Sequence, residues 1–426
     1  MRLIKKTIAE CLRSRVRESA DRVALEADEQ RYTWKDLDTL SDYMVGRMLS
    51  CGIRKGTHVG IWSTNSPNWI IVFLALSKIG AVPVLLNTCY STEELEQVLR
   101  YADVEFVYYG EGYKKLVYED MVTHLSRKLE GTVKRWIYIG RDTARQWMTE
   151  KSFVFAERMK KVTREIGGYI RKVEPEDTAA ILFTSGTTAM PKGVMLSHYS
   201  LVNSALEICS HMGWEESDKM MIAVPLFHCF GLTASLLTSI HTGCCMHTVE
   251  YYKTMTVLET VQKYHCTVLN GVPSMFLAIT RNPAHKDYDL SSLRNGIIAG
   301  SPVSGKNMIR FTGKFRGWFF SRPTDRRKPR PVSASVMWEI HRQNVPQRQA
   351  GCCATVRYGS WRRTEPAGRQ GRTVKSACAA TMSCRGITIS RRKRQRPLMR
   401  TGGFIPAIWD IWTGGIFCMS RDESKR

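Results

Sequence analysis

Between residues 30 and 312, short apolar runs alternate with segments of helical spacing, and this rhythm restricts the fold more than any other feature of the chain. Leu37, Leu40, Met44, Met48 and Leu49 recur on one helical face, and Gly52 is placed to stop that helix. Residues 58–63 read as a strand. Ser66 and Pro67 then open a helix as cap and first-turn proline, and Gly80 closes it. Residues 81–86 form a second strand. Ser91 and Glu94 make a capping box ahead of Leu95, Val98 and Leu99, and residues 104–109 form a third strand. The pattern resumes with strands over 179–183, 220–224, 245–249, 267–269 and 296–299, separated by helices such as 201–212 and 254–264. Residues 112–172 are more polar and read as surface helices. Strands that alternate with helices predict an α/β fold whose parallel-type sheets are flanked by helices on both faces. No internal repeat is evident.

The charge is unevenly spread. The chain of 426 residues carries a formal net charge of +24, which on its own suggests nucleic acid or an anionic membrane as partner. Residues 313–426 hold 25 Lys and Arg against 6 Asp and Glu, a net +19, and the remainder of the chain is only +5. A composition break therefore falls near residue 313, dividing a body (1–312) from a basic tail (313–426). The chain starts Met1-Arg2-Leu3-Ile4-Lys5-Lys6 and shows no apolar core of signal-peptide length. The longest apolar run, residues 69–76, is too short to span a bilayer. A cytoplasmic protein without a membrane span is the expectation. The 13 cysteines are scattered and no C-x-x-C pair occurs, so free thiols in a reducing compartment are expected and no metal site is read from the sequence.

The sharpest local signal is Phe183-Thr184-Ser185-Gly186-Thr187-Thr188-Ala189-Met190-Pro191-Lys192-Gly193, directly after the apolar strand 179–182. Glycines and small hydroxyl residues let backbone N–H groups approach an anion, the hydroxyls add donors, and Lys192 brings a positive charge to phosphate. The spacing is not that of the G-x-x-x-x-G-K-[ST] loop. The string resembles the phosphate loop of the adenylate-forming (AMP-binding) superfamily of acyl-CoA synthetases, luciferases and peptide-synthetase adenylation domains. Ala189 departs from the family's usual glycine; if that position takes a positive φ, alanine costs about 1 kcal/mol.

Further matches follow in family order. Met195-Leu196-Ser197-His198 resembles the start of the helix behind the loop. Pro225-Leu226-Phe227-His228-Cys229-Phe230-Gly231 is similar to the motif bordering the acyl and pantetheine channel. Gly271-Val272-Pro273-Ser274-Met275-Phe276 resembles the next family block, and Ile297-Ile298-Ala299-Gly300-Ser301-Pro302 the segment against adenine. Each piece alone is an ordinary turn, core aromatic or core histidine; their order behind the phosphate loop carries the resemblance, which covers roughly residues 10–312. It implies an N-terminal adenylation domain, with Thr184, Ser185, Gly186, Thr187, Thr188 and Lys192 on the phosphates and Gly300, Ser301 and Pro302 flanking adenine. Phe227, His228 and Phe230 would border the acyl channel. The implied substrates are ATP, coenzyme A and a small carboxylic acid, with Mg2+ as counter-ion. The matches look closest to fatty-acid-activating members, especially medium-chain acyl-CoA synthetases.

In the family, a Tyr-Gly-x-Thr-Glu motif with a magnesium glutamate, a Thr-Gly-Asp motif with a ribose aspartate, and a small C-terminal domain with a catalytic lysine should follow. None is present in residues 313–426 as written, so no catalytic residue is assigned. The first two can be recovered in a shifted reading frame, together with a further family block. Residues 322–329 can then encode Ala-Tyr-Gly-Gln-Thr-Glu-Thr, residues 373–384 Gly-Glu-Ile-Cys-Val-Arg-Gly-Tyr-Asn-Val-Met, and residues 403–413 Trp-Ile-His-Thr-Gly-Asp-Leu-Gly-Tyr-Met-Asp. Three motifs in one frame and in order point to a single insertion or deletion between about residues 311 and 318. The shift accounts for the basic tail, which is expected to be poorly ordered. Two rival readings stay open: a non-catalytic nucleotide-binding remnant, and a nucleic-acid-binding protein acting through Arg391-Arg392-Lys393-Arg394, which lacks interleaved aromatic residues.

Overall fold

Two mostly parallel sheets carry the molecule. A computed structural model describes residues 3–27, 29–140, 168–170, 172–183, 191–301, 307, 311 and 399–400. The strands are β1 (Val23–Ala27), β2 (Gln30–Thr33), β3 (His58–Trp62), β4 (Val82–Leu85), β5 (Phe106–Tyr109), β6 (Gly112–Tyr113), β7 (Leu116–Val117), β8 (Arg135–Tyr138), β9 (Thr178–Phe183), β10 (Gly193–Ser197), β11 (Lys219–Ile222), β12 (Cys245–Thr248), β13 (Val268–Leu269) and β14 (Met399–Arg400). The main helices are α1 (Ile8–Ser19), α2 (Trp34–Ser50), α3 (Pro67–Ile79), α4 (Thr92–Tyr101), α5 (Tyr118–Lys128), α6 (His198–Met212), α7 (Thr254–Tyr264) and α8 (Pro273–Arg281).

The larger sheet has the order β14-β10-β9-β4-β3-β5-β8, parallel except for the antiparallel β9–β10 pair. The smaller has the order β13-β11-β12-β1-β2, parallel except for the β1–β2 pair. The alternation of side chains along a strand shows why the larger sheet is buried on both faces. Val59, Ile61, Leu85, Phe106, Tyr108, Ala180 and Leu182 point into one apolar cluster, with α2, α3 and α6. Trp62, Val84, Leu86, Val107, Tyr109 and Ile181 point into a second, with α4 and α5.

The local punctuation matches the sequence. Ser66 caps α3 by accepting from the Trp69 N–H, Pro67 takes the first turn, and Gly80 ends it at φ 70. The Ser91–Glu94 capping box opens α4. Every residue of α3 is buried, including Lys78. Its ammonium lies 2.6 Å from both Asp38 Oδ1 and Asp42 Oδ1 and also donates to the Asp38 carbonyl at 2.8 Å. Burial is the main cause holding the Asp42 carboxyl above its usual range, and Lys78 works against it.

Two sequence expectations need correction. Residues 296–299 are not a full strand: only the isolated bridges Val268↔Asn295 and Gly271↔Ile298 form. The Ile297 N–H is taken by the Asn270 side chain, at 2.9 Å, which interrupts the ladder. Residues 112–172 are not purely helical, because β6, β7 and β8 fall there. In β8 the sequence Arg-Trp-Ile-Tyr is at most half-buried, so it lacks the apolar run that marks the interior strands. Helix α1, strand β1 and strand β2 lie ahead of or at the start of the region read as alternating. Of the basic tail only β14 is described, where two residues pair in parallel with β10; the expectation of poor order lies outside the described residues.

Burial also creates a pH dependence. His198, on α6, is 1% exposed, and its Nδ1 accepts from the Ile8 N–H at 3.3 Å. Burial pushes its imidazole down to about 4. The unfolded chain takes up that proton near the ordinary value of about 6.5. The contribution is therefore complete above about pH 6.5 and is lost as pH falls toward 4, at a magnitude of about 3 kcal/mol. Urea titrations at pH 7 and pH 4.5 should show the wild-type chain losing more stability than His198→Gln. Equal losses would contradict this origin.

Candidate active site

Sites in parallel α/β sheets form beyond the carboxyl ends of the strands, where loops leave one sheet edge together. Three of the segments singled out from the sequence occupy such a position. The segment read as a phosphate loop follows β9, residues 225–231 follow β11, and residues 270–273 follow β13.

The loop residues Thr184, Ser185, Gly186, Thr187 and Thr188 lie outside the described residues, as does Pro302. The loop's two ends are described. Phe183 and Gly193 pair across the antiparallel β9–β10 ladder, so the intervening residues 184–192 leave and return at one point. Lys192 is exposed at this mouth, one residue ahead of β10. On the other side of β10, Ser197 caps α6 by accepting from the Ser200 N–H.

After β11 the chain makes a tight turn. The His228 N–H donates to the Pro225 carbonyl at 3.2 Å, and the His228 carbonyl accepts from the Leu232 N–H at 2.9 Å. His228 Nδ1 accepts from the Phe230 N–H at 3.3 Å, which puts the proton of the neutral ring on Nε2. Phe230 is buried and Phe227 half-buried against the core. Gly231 is needed for space: a Cβ there would stand 2.1 Å from the Pro225 carbonyl oxygen. The chain continues into the π-helical segment Leu232–Leu237, wholly buried, then the short α-helix Thr238–Thr242. π-Helical turns are uncommon and concentrate at functional sites.

The third wall is residues 295–301, running beside β13. Gly271 donates to the Ile297 carbonyl at 3.0 Å and accepts from the Ala299 N–H at 3.2 Å. Gly300 has φ 90, which favours glycine, and a Cβ would lie 3.0 Å from Val272 Cγ1. Gly300 and Ser301 are exposed.

Two buried asparagines tie these walls together. The Asn65 side chain, in the loop after β3, donates to the Val224 and Val249 carbonyls at 3.0 and 3.2 Å and accepts from the Leu226 N–H at 2.8 Å. It fixes the strand ends of one sheet to those of the other. Asn270, fully buried after β13, donates to the Ala234 carbonyl at 2.8 Å and Ser235 Oγ at 3.3 Å, and accepts from the Ile297 N–H. It joins the π-helical segment behind His228 to the segment leading into Gly300. Neither asparagine was singled out from the sequence. The available signal is a lone amide just past an apolar strand, where no regular backbone partner exists and a buried polar group must find one.

A chain built this way, with the paired strands β9 and β10 bracketing residues 184–192 and the segments after β11 and β13 at the strand ends, belongs to the family of AMP-binding enzymes, whose family model matches residues 12–321. The match covers the body and ends close to the composition break. Among individual proteins, the putative acyl-CoA synthetase YngI of Bacillus subtilis (strain 168) is 35% identical over 321 residues, covering 72% of this chain and 58% of that protein. The mitochondrial medium-chain acyl-CoA ligase ACSF2 of Mus musculus is 29% identical over 319 residues, covering 71% and 52%. The chain thus spans about half the length of the curated relatives it matches. The inhibitor-bound N-terminal domain of FACL13 from Mycobacterium tuberculosis shares the fold, with a TM-score of 0.59 and 22% identity over 72% of this chain and 73% of that one.

Proposed function

We propose that this chain is the adenylation part of an AMP-forming acid–thiol ligase that activates fatty acids, with medium-chain acids preferred. The carboxylate attacks the α-phosphate of ATP, forming an acyl-adenylate and releasing pyrophosphate. The thiol of coenzyme A then attacks the acyl carbon, loses its proton and expels AMP. The barrier to such a transfer falls mainly through positioning and neutralisation of phosphate charge. The observation that supports this reading most is the β9–β10 hairpin with Lys192 at its mouth, in a chain of the AMP-binding family. Thr184, Ser185, Gly186, Thr187, Thr188 and Lys192 would hold the phosphates, Gly300, Ser301 and Pro302 the adenine, and Phe227, His228 and Phe230 the acyl channel. A cytoplasmic setting fits the eight cysteines among the described residues, all free thiols. No helix among the described residues is long and apolar enough to cross a membrane.

Magnesium is implied as counter-ion of the triphosphate, but the Tyr-Gly-x-Thr-Glu motif whose glutamate would hold it does not occur in residues 313–426 as written. The same absence leads us to expect little or no acyl-CoA from the polypeptide as written, and pyrophosphate release from a frame-restored version given acids of graded length. The coding nucleotides across codons 305–325 decide the frame: failure to encode the missing motifs in the shifted frame removes that explanation. ATP binding without pyrophosphate release from the restored chain would favour a non-catalytic remnant. Salt-sensitive DNA binding lost on deleting 313–426 would favour the nucleic-acid reading.

Lys192→Ala tests the phosphate cradle directly. A charge-assisted hydrogen bond contributes about 1.5–3 kcal/mol, so ATP affinity by calorimetry should fall about 10- to 100-fold. An unchanged affinity in a folded variant argues against the assignment.

A further inference from the structure

Away from the nucleotide site, the face of the smaller sheet under α7 gathers three metal-ligating side chains. Cys245 and His247 are two apart on β12 and so point to the same face. Glu26 stands opposite His247 in the parallel β1–β12 register and joins them on that face. The cysteine sulfur, an imidazole nitrogen and a carboxylate oxygen all lie within 4.8 Å of one another. His247 Nδ1 is 3.4 Å from Glu26 Oε2.

The state of His247 calls for a ligand. It is 1% exposed, and neither ring nitrogen has a hydrogen-bond partner. A buried imidazole without partners is costly, and native structures seldom leave one so. The Tyr264 ring stacks on it at 4.5 Å, which fixes the ring plane without satisfying either nitrogen. Glu26 is already held: its Oε1 takes the Arg31 guanidinium at 2.5 Å, leaving Oε2 toward His247. Lys219, the other nearby cation, is engaged with the Tyr264 carbonyl at 2.9 Å.

We propose that Cys245, His247 and Glu26 form a binding site for a divalent transition-metal ion of the zinc type. Thiolate, imidazole and carboxylate together suit such an ion and not magnesium or calcium, which prefer oxygen ligands throughout. Tetrahedral bonds of 2.0–2.3 Å place ligand atoms about 3.3–3.8 Å apart, so the Glu26–His247 pair is already in place and the cysteine sulfur closes by a rotamer adjustment. On binding, the Cys245 thiol gives its proton to solvent and the sulfur lone pair forms the bond to the metal; no redox step is involved. The fourth position falls to water from the adjoining cleft of about 370 Å3, which Glu26, Thr248 and Tyr264 help to line. The bound ion would join β1 to β12.

The test uses the full chain, stripped with chelator and titrated with Co2+ and then Zn2+. One equivalent of Co2+ should give the thiolate-to-cobalt charge-transfer band and the visible bands of a four-coordinate ion, and Zn2+ should displace it and raise the melting temperature. Cys245→Ser should abolish the charge-transfer band, and His247→Gln and Glu26→Gln should weaken Co2+ at least about tenfold. Cys244→Ser is the control: that thiol lies on the other side of the strand, with its sulfur on Ser239 Oγ at 3.3 Å, and binding should persist. Should the variants fold poorly, Zn2+ should slow alkylation of Cys245 in the wild-type chain, read by peptide mass spectrometry. Absence of saturable binding, a charge-transfer band surviving in Cys245→Ser, or alkylation indifferent to Zn2+ would each overturn the proposal.

Discussion

Replacing Lys78 by methionine is expected to destabilise the chain by about 3–5 kcal/mol, a large fraction of what holds a domain of this kind together. The methionine fits the slot in α3, but it leaves Asp42 buried without its partner, and an unpaired carboxylate in an apolar interior is the costly state. Asp38 is 22% exposed and can turn to water, so the loss concentrates on Asp42. The double variant Lys78→Met/Asp42→Leu should recover most of the stability, since apolar replacement of a whole buried pair is often neutral or better. Urea denaturation of the wild-type, single and double variants reads all three. A single variant within 1 kcal/mol of the wild-type value, or a double variant as unstable as the single, would show that the ion pair is not the source.

Asn270→Leu should produce the second large effect, and in two measurements at once. The leucine keeps the approximate volume, yet it orphans the Ile297 N–H and the Ala234 carbonyl in a fully buried place. At about 1–3 kcal/mol for each of the two unsatisfied groups, stability should drop by about 2–6 kcal/mol. Because the lost bonds join the π-helical segment to the stretch ahead of Gly300, ATP affinity should fall as well, at temperatures where the variant remains folded. Loss of stability with unchanged ATP affinity would make Asn270 a structural residue only and detach residues 297–301 from the nucleotide.

How much was legible in the sequence follows from where each structural decision is made. Ser66, Pro67, Gly80, Ser91 and Glu94 act within one helical turn, so their roles could be read from spacing alone. Apolar strands buried on both faces, such as residues 58–62, announce themselves as continuous runs. β8 does not, because Arg135 and Tyr138 face solvent and only Trp136 and Ile137 are half-buried. The candidate site was legible as segments in order, but not as a site. Asn65 and Asn270 bond to backbone atoms roughly 30 to 180 residues away, and no local pattern carries that information. The cysteine, histidine and glutamate on the smaller sheet were invisible for the same reason: the strand register that puts Glu26 beside His247 exists only after folding.

On the proposed reading, the facing of Phe183 and Gly193 would bear on how tightly a nucleotide is held. Opposed residues of an antiparallel pair stand about 4.5–5.5 Å apart, so the ladder itself keeps the feet of the segment 184–192 together. The entropy of bringing those feet together is settled when the sheet forms, before any ligand arrives. If the segment takes a triphosphate as proposed, that ligand would meet anchored ends, and more of its contact energy would be left over as affinity.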